Sequence, residues 1–386
     1  MVGLLKFPPR RALGVRELFS INKFLISSFL HGKDPGYSGK IHSKFKEKFL
    51  QWYGTDYGNV EVTGSGTNAI YITLLGLELP LGSTIHVSPI TDPGTLSAII
   101  VAGYKVNILD SDPSLFGQTS IESLRSNVTS SSSAVLLVHH AGWPGNLNEF
   151  SNFCKSHSLI LIEDFSQAMG AIVNGRFVGQ FGKVGVASTM YRKALTTGGS
   201  GGIIYTDDFE LFKNIVLHKD RGKPAWNSNF STNFIGNRDG NNVSLPALNH
   251  NQDDLNIAWG IASLQRLPRV IRKRQQLVKY LLLYLNDQEL IPQGIDQSSP
   301  FIIPISFASL DLKRIAVEIL SKHSIPFNPD YKFNVAMWDW VKPYLDQTPS
   351  APNATEYLSR TLFLYINESY KFHHMKYIAL LLNQVN

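Results

Sequence analysis

The chain has 386 residues, 43% of them hydrophobic and 17% charged. That balance can bury a large core with a smaller companion, and it excludes a disordered chain. Thirty-six basic residues against 30 acidic ones give a net charge of +6, an excess compatible with anionic ligands but weak ground for nucleic acid. The single cysteine, Cys154, excludes a disulfide framework and a cysteine-rich metal site, and it fits a reducing, cytoplasmic setting. The apolar run "FLISSFL" (24–30) is too short to cross a membrane and lacks a cleavage pattern, so neither leader nor membrane segment is expected.

In chain order, residues 1–60 read as an arm and a leading helix. In "SKFKEKFLQWYG" the residues Phe45, Phe49 and Trp52 or Tyr53 share one face and Gly54 ends the helix, leaving Lys44, Lys46 and Lys48 to a solvated side. Residues 61–260 form the predicted large domain. Short apolar runs at 84–87, 105–109, 134–139, 159–164, 184–189 and 201–206 have helical candidates such as 94–102 and 147–156 between the first four. This alternation predicts an α/β fold with a mainly parallel sheet covered on both faces. Ligands then belong at the carboxyl ends of the strands. Residues 222–247, rich in Asn, Ser and Gly, are too long for an idle connection and read as a lid or a partner-contacting loop. Residues 261–386 read as a smaller α+β domain, with a long helix over 266–285, strands at 301–307 and 361–366, and a helix near 311–322.

Four places carry candidate chemistry. "TGSGTNAI" (63–70) is a glycine-bearing turn opening a helix, so Ser65, Gly66 and Thr67 offer either a phosphate cradle or a plain helix cap. Asp164 ends the strand "LILIED", as a cap for the segment "FSQAMG" or as a partner for a cationic ligand group. Ser188 ends another strand, and Lys193 comes five residues later among glycines, as surface charge, phosphate clamp or nucleophile. A phosphate cup, a carboxylate and an amine together are what pyridoxal phosphate needs. The adjacent His139 and His140 point to opposite sides of an extended chain with no further ligand beside them, so no metal site is expected. The basic helix residues Arg266, Arg269, Arg272, Lys273 and Arg274 read as a solvated face, with anion contacts second.

The ordered set "SGT" (65–67), "IEDFSQAMGA" (162–171), "RFVGQFGKVGVASTMYRK" (176–193) and "GGSGGIIYT" (198–206) resembles the DegT/DnrJ/EryC1/StrS sugar aminotransferases, of the fold-type I pyridoxal-phosphate superfamily. The resemblance covers roughly residues 37–286 and implies the mainly parallel seven-stranded sheet of that superfamily with a smaller C-terminal α+β domain. It implies Lys193 as the amine that binds the cofactor covalently and later carries the proton between cofactor and substrate carbons. Asp164 would pair with the pyridine nitrogen and Gln167 with the ring's phenolic oxygen, while Gly66, Thr67 and Ser188 would hold the phosphate. Within "LNHNQDDLNIAWG" (248–260), Asn249 would reach the phosphate in a neighbouring subunit's site, which implies a homodimer with shared active sites. The implied activity is transfer of an amino group, commonly from glutamate, through pyridoxamine phosphate to a nucleotide-linked keto-sugar, for surface glycan or secondary-metabolite synthesis.

The chain also departs from the family pattern. Asp92 stands where an aromatic ring usually stacks on the cofactor, Arg192 and Ala194 replace the usual Thr and Asn flanking the lysine, and Asn251 replaces an arginine. These departures keep open a binding or regulatory protein that does not transaminate. A related sugar 3-dehydratase would carry histidine at the lysine position, and Lys193 argues against it.

Overall fold

The computed structural model describes residues 5–55, 57–224 and 243–385. Most of the 222–247 segment, namely 225–242, lies outside the described residues. In chain order the strands are β1 (Asn59–Thr63), β2 (Thr84–Val87), β3 (Lys105–Ile108), β4 (Ser132–Val138), β5 (Ile160–Asp164), β6 (Ile172–Val173), β7 (Arg176–Phe177), β8 (Val184–Ser188) and β9 (Gly202–Thr206). Seven of them form one sheet in the order β1-β9-β8-β5-β4-β2-β3. The five from β8 to β3 pair in parallel, while β9 runs antiparallel to both β8 and β1. Helices such as Gly66–Gly76, Pro93–Val101 and Leu147–Ser156 cover the sheet. Strands so covered have no solvent face, which is why β2, β4 and β5 read as continuous apolar runs rather than alternating ones.

Helix Lys40–Trp52 inserts Phe45 and Phe49, and Tyr53 follows at its end, all fully buried beside Phe165. Burying each aromatic contributes about 1.5–3 kcal/mol. The other side of this helix is less solvated than its lysines suggest. Lys46 Nζ lies 2.7 Å from Glu61 Oε2, and Lys219 Nζ lies 3.0 Å from Glu61 Oε1. Burial alone would raise the Glu61 carboxyl, but the two ammonium groups and the hydrogen bonds from Lys46 and Val62 outweigh it and hold the pKa down to about 2. The solvated reading therefore fails for Lys46: a carboxylate on β1, distant in sequence, recruits it.

Helix Asp254–Tyr284 is capped by Asp253, whose side chain accepts from Asn256 N. Its first half, through Ile271, packs into the core beneath the sheet. Leu277, Val278 and Leu281 belong to a second core shared with β10 (Ile302–Ser306), β11 (Phe327–Asn328) and β12 (Thr361–Tyr365). Those strands form an antiparallel sheet in the order β10-β12-β11, flanked by helices Leu310–Lys322 and Phe372–Leu382. Position 260 thus falls inside a helix, and the change of core comes between Ile271 and Leu277.

Two of the five basic residues on this helix are not solvated. Arg274 is buried and its Nη2 meets Glu368 Oε2 at 3.3 Å. Arg266 meets Glu17 at 3.1 Å and Glu368 at 3.0 Å. Arg269 and Arg272 are exposed, as expected of a solvated face.

Candidate active site

β4, β5 and β8 lie side by side in register, Val138 beside Asp164 and Asp164 beside Val186. Their carboxyl ends therefore stop at one level, and the residues there share one cavity. Successive residues on β5 face opposite sides. Glu163 turns into the protein, where it accepts from Gly179 N at 2.7 Å, Phe181 N at 2.6 Å and Gly182 N at 2.7 Å. His139 Nε2 meets the same carboxylate at 3.2 Å, which gives this histidine a packing role at the strand end. Asp164 turns the other way, toward the cavity.

A ladder of short-range bonds ties these strand ends together. Asp164 Oδ1 accepts from Ser166 N at 2.9 Å, Ser166 Oγ accepts from Ser188 N at 2.7 Å, and Ser188 Oγ accepts from Met190 N at 3.3 Å. The helix-cap reading of Asp164 fails, because 165–170 form a turn and not a helix; one oxygen instead closes that turn through Ser166 N.

The start of helix Gly66–Gly76 closes one end of the cavity. Ser65 Oγ accepts from Asn68 N at 3.0 Å, so this hydroxyl serves as the helix cap. The next amides, of Gly66 and Thr67, sit in the first turn, where N–H groups have no partner within the helix. Gly66 is required by proximity: a Cβ there would stand 2.7 Å from Ser188 Cβ, so only glycine lets the helix start meet the end of β8. Gly94 plays the matching part beside Thr67, whose Oγ1 would lie 2.2 Å from an added Cβ.

The cavity, about 750 Å³, is lined by Ser65, Gly66, Thr67, Asp164, Gln167, Ser188 and Lys193. Seven of the eight candidate residues from the sequence therefore converge on one space. Asn249 is the exception. It pairs with Asp220 across an isolated bridge, accepts from Asn251 Nδ2 at 2.8 Å, and lies outside this cavity.

Lys193 is half-buried, and its Nζ sits 4.7 Å from the centroid of the Phe301 ring. Desolvation lowers its pKa below the ordinary lysine value, while Asp164 and Asp92 pull it back up. A lysine so placed holds more neutral, nucleophilic amine near neutral pH than a solvated one. Asp92 caps helix Pro93–Val101 by accepting from Gly94 N at 2.9 Å and also borders the cavity.

Rings reach this wall from elsewhere in the chain. Segment 333–335 is stitched to the loop before Asp92 by Thr91 N to Phe333 O at 3.2 Å and Val335 N to Pro89 O at 2.9 Å. That stitching brings Tyr331 and Phe333 into the lining. Tyr331 and Gln167 both line the cavity, and burial pushes the Tyr331 phenol up to about 12. Gln167 Oε1 accepts from Ala141 N at 2.8 Å. Sequence reasoning missed Tyr331, and it missed Phe7 to Arg10 of the N-terminal arm, which also line the cavity. No motif spacing marks either group, because both reach the site by long-range packing.

His140 is buried with neither ring nitrogen hydrogen-bonded, among Tyr331, Tyr357 and Phe363, and burial pushes its pKa down to about 3. Among the described residues no group of three His, Cys, Asp or Glu side chains is placed to hold a metal ion. No helix among them is long and apolar enough to cross a membrane.

A profile of the DegT/DnrJ/EryC1/StrS aminotransferase family matches residues 29–382. The chain belongs to this family. Among its relatives, the GDP-perosamine synthase of Escherichia coli O157:H7 is 27% identical over 262 residues, covering 68% of this chain and 66% of that protein. The dTDP-4-dehydro-2,3,6-trideoxy-D-glucose 4-aminotransferase of Saccharopolyspora spinosa is 27% identical over 278 residues, 71% of this chain and 69% of that one. The match thus spans about two thirds of the length of these two relatives. In three dimensions, the E. coli GDP-4-keto-6-deoxy-D-mannose-3-dehydratase, solved with bound hydrated pyridoxal phosphate, superposes with a TM-score of 0.83. It is 26% identical and covers 98% of this chain and 100% of that one.

Proposed function

We propose that this family member is a pyridoxal-phosphate-dependent aminotransferase that moves an amino group from an amino acid, glutamate in the first instance, to a nucleotide-linked keto-sugar. The observation that carries this reading is the meeting of a desolvated lysine amine, a strand-end carboxylate and a glycine-tight helix start in one cavity. The donor set fits the cofactor. Gly66 and Thr67 amides with the Ser188 hydroxyl suit its phosphate, Asp164 suits a protonated pyridine nitrogen, and Gln167 suits the phenolic oxygen. Pyridoxal phosphate, when bound, supplies a ring that absorbs carbanion charge at the substrate carbon.

The chain's own residues do the rest. Asp164, held through Ser166, keeps a proton on the ring nitrogen by offering it an anion. Lys193 Nζ takes a proton from the donor carbon and later returns one to the sugar carbon, a task suited to an amine whose pKa lies below the solvated value. Gln167, held by the Ala141 amide just beyond β4, fixes that side of the cavity.

In this reading the protein works as a cytoplasmic homodimer, Asn249 serving the neighbouring subunit's phosphate, and its product enters glycan or secondary-metabolite synthesis. The dehydratase among the neighbours marks the competing reading. An amine at position 193 favours transamination, since it can hold the cofactor covalently and carry the proton.

The test is spectroscopic. Purified protein given pyridoxal phosphate should develop the visible absorbance of a lysine-linked cofactor and lose it on adding glutamate. A protein that takes up no cofactor contradicts the reading. One that binds cofactor but responds to no amino donor supports a binding or regulatory role instead.

A further inference from the structure

The N-terminal arm is bonded to the small domain at several points where it borders the cavity. Phe7 packs edge-on to Tyr370 at 5.3 Å and against His374 at 5.0 Å. His374 Nε2 donates to Lys6 O at 3.1 Å, and Asn367 Nδ2 donates to Pro8 O at 3.2 Å. Beyond these anchors Arg10 turns toward the lysine loop. Its Nη1 donates to Tyr191 O at 2.7 Å and its Nη2 to Lys193 O at 2.5 Å. Its Nε faces Glu368 Oε1 at 3.7 Å, and Arg266 and Arg274 hold that carboxylate from the other side.

One planar guanidinium therefore grips the backbone on both sides of Arg192 and fixes the carbonyl of Lys193 itself. The loop is closed at its base by Thr197 N to Thr189 O at 3.0 Å and Thr189 N to Gly201 O at 2.8 Å; around Arg192 its internal backbone bonds are Lys193 N to Met190 O at 2.9 Å and Tyr191 N to Gly199 O at 3.3 Å, and glycines come after it at 198, 199, 201 and 202. Glycine-rich backbone loses more freedom on ordering than any other.

We propose that Arg10 is a positioning residue for Lys193, clamping the lysine loop to the small domain through Glu368 so that the amine is aimed before substrate arrives. This rests on the reading of Lys193 as the working amine. Arginine suits the task because its fork presents parallel donors in fixed geometry. Lysine at the same place would bring its donors on a flexible stem, without the fixed parallel fork. Misplacing a reacting group by about 1 Å costs on the order of 10²-fold in rate.

The experiment compares wild type, Arg10→Ala and Arg10→Lys in two measurements. Single-turnover reaction of the cofactor-loaded protein with glutamate gives the limiting rate and the half-saturating donor concentration separately. Amide hydrogen exchange of residues 189–198 in cofactor-free protein reports the loop directly. The clamp predicts a limiting rate about 10- to 100-fold lower in Arg10→Ala, with half-saturation little changed, faster exchange confined to 189–198, and partial recovery in Arg10→Lys. A limiting rate equal to wild type, or exchange that is unchanged or raised throughout the protein, overturns it. If Arg10→Ala fails to fold, Arg10→Lys carries the comparison, and a wild-type rate there overturns the clamp. If wild type itself takes up no cofactor, the functional reading fails, while loop exchange still decides the clamp.

Discussion

The two ends of the cavity are built in opposite ways. At the sheet end, Asp164, Gln167, Ser188 and Lys193 fall within 30 residues of one another, joined by bonds from Asp164 through Ser166 to Ser188. The opposite wall gathers Phe7 to Arg10, Asp92, Tyr331 and Asn367 from four distant parts of the chain. Parallel strands in register bring local sequence to one level, so chemistry there can be read from spacing. A wall made by docking a small domain and an arm depends on contacts that no spacing encodes. In the proposed function the chemistry falls to the sheet end.

The largest effect is expected at the sheet end. Lys193→Ala should abolish the lysine-linked absorbance and lower single-turnover transamination by about 10³-fold or more. Retention of both would remove the basis for treating the sheet end as the chemical end. Asp164→Asn keeps the size and the bond to Ser166 N but removes the anion, and should cost about 10²-fold in rate, with cofactor still bound. A full-rate variant would reduce Asp164 to closing its turn.

A third substitution separates stability from chemistry. Glu61→Gln leaves the buried Lys219 and the half-buried Lys46 without their anion and should lower stability by about 3 kcal/mol, read by denaturant unfolding, while the rate per folded molecule stays unchanged. The wild-type Glu61 carboxyl is depressed from 4.5 to about 2. Its contribution is therefore full above the ordinary carboxylate range and lost as pH falls toward 2, and Glu61→Gln should flatten that part of the stability profile.

The smallest effect belongs to Asp92 on the wall. Lys193 must be neutral to accept a proton, so the rate rises as pH climbs through its lowered pKa. Asp92 raises that pKa, so Asp92→Asn should move the acid limb of the pH–rate profile to lower pH. A shift to higher pH would show that Asp92 acts on something other than the lysine.

Legibility in the sequence divides along the same line. The runs at 84–87, 105–109, 134–139 and 159–164 became β2 to β5 almost to the residue, because doubly covered strands must be continuously apolar. Lys46, Arg266 and Arg274 looked like surface charge because helical spacing cannot reveal that Glu61 and Glu368 arrive opposite them. Arg10 carried no signal, since an arginine beside prolines in an arm looks the same with or without a loop to hold. Asp92 was visible as a departure from the family pattern, but the rings at 331 and 333 that border the same space were not, because they reach it from more than 200 residues away in the chain.

The most direct test of the central claim is to reduce the cofactor-loaded protein with borohydride and map the modified peptide by mass. The account predicts one pyridoxyl group, on Lys193. Modification of a different lysine, or none at all, would contradict it.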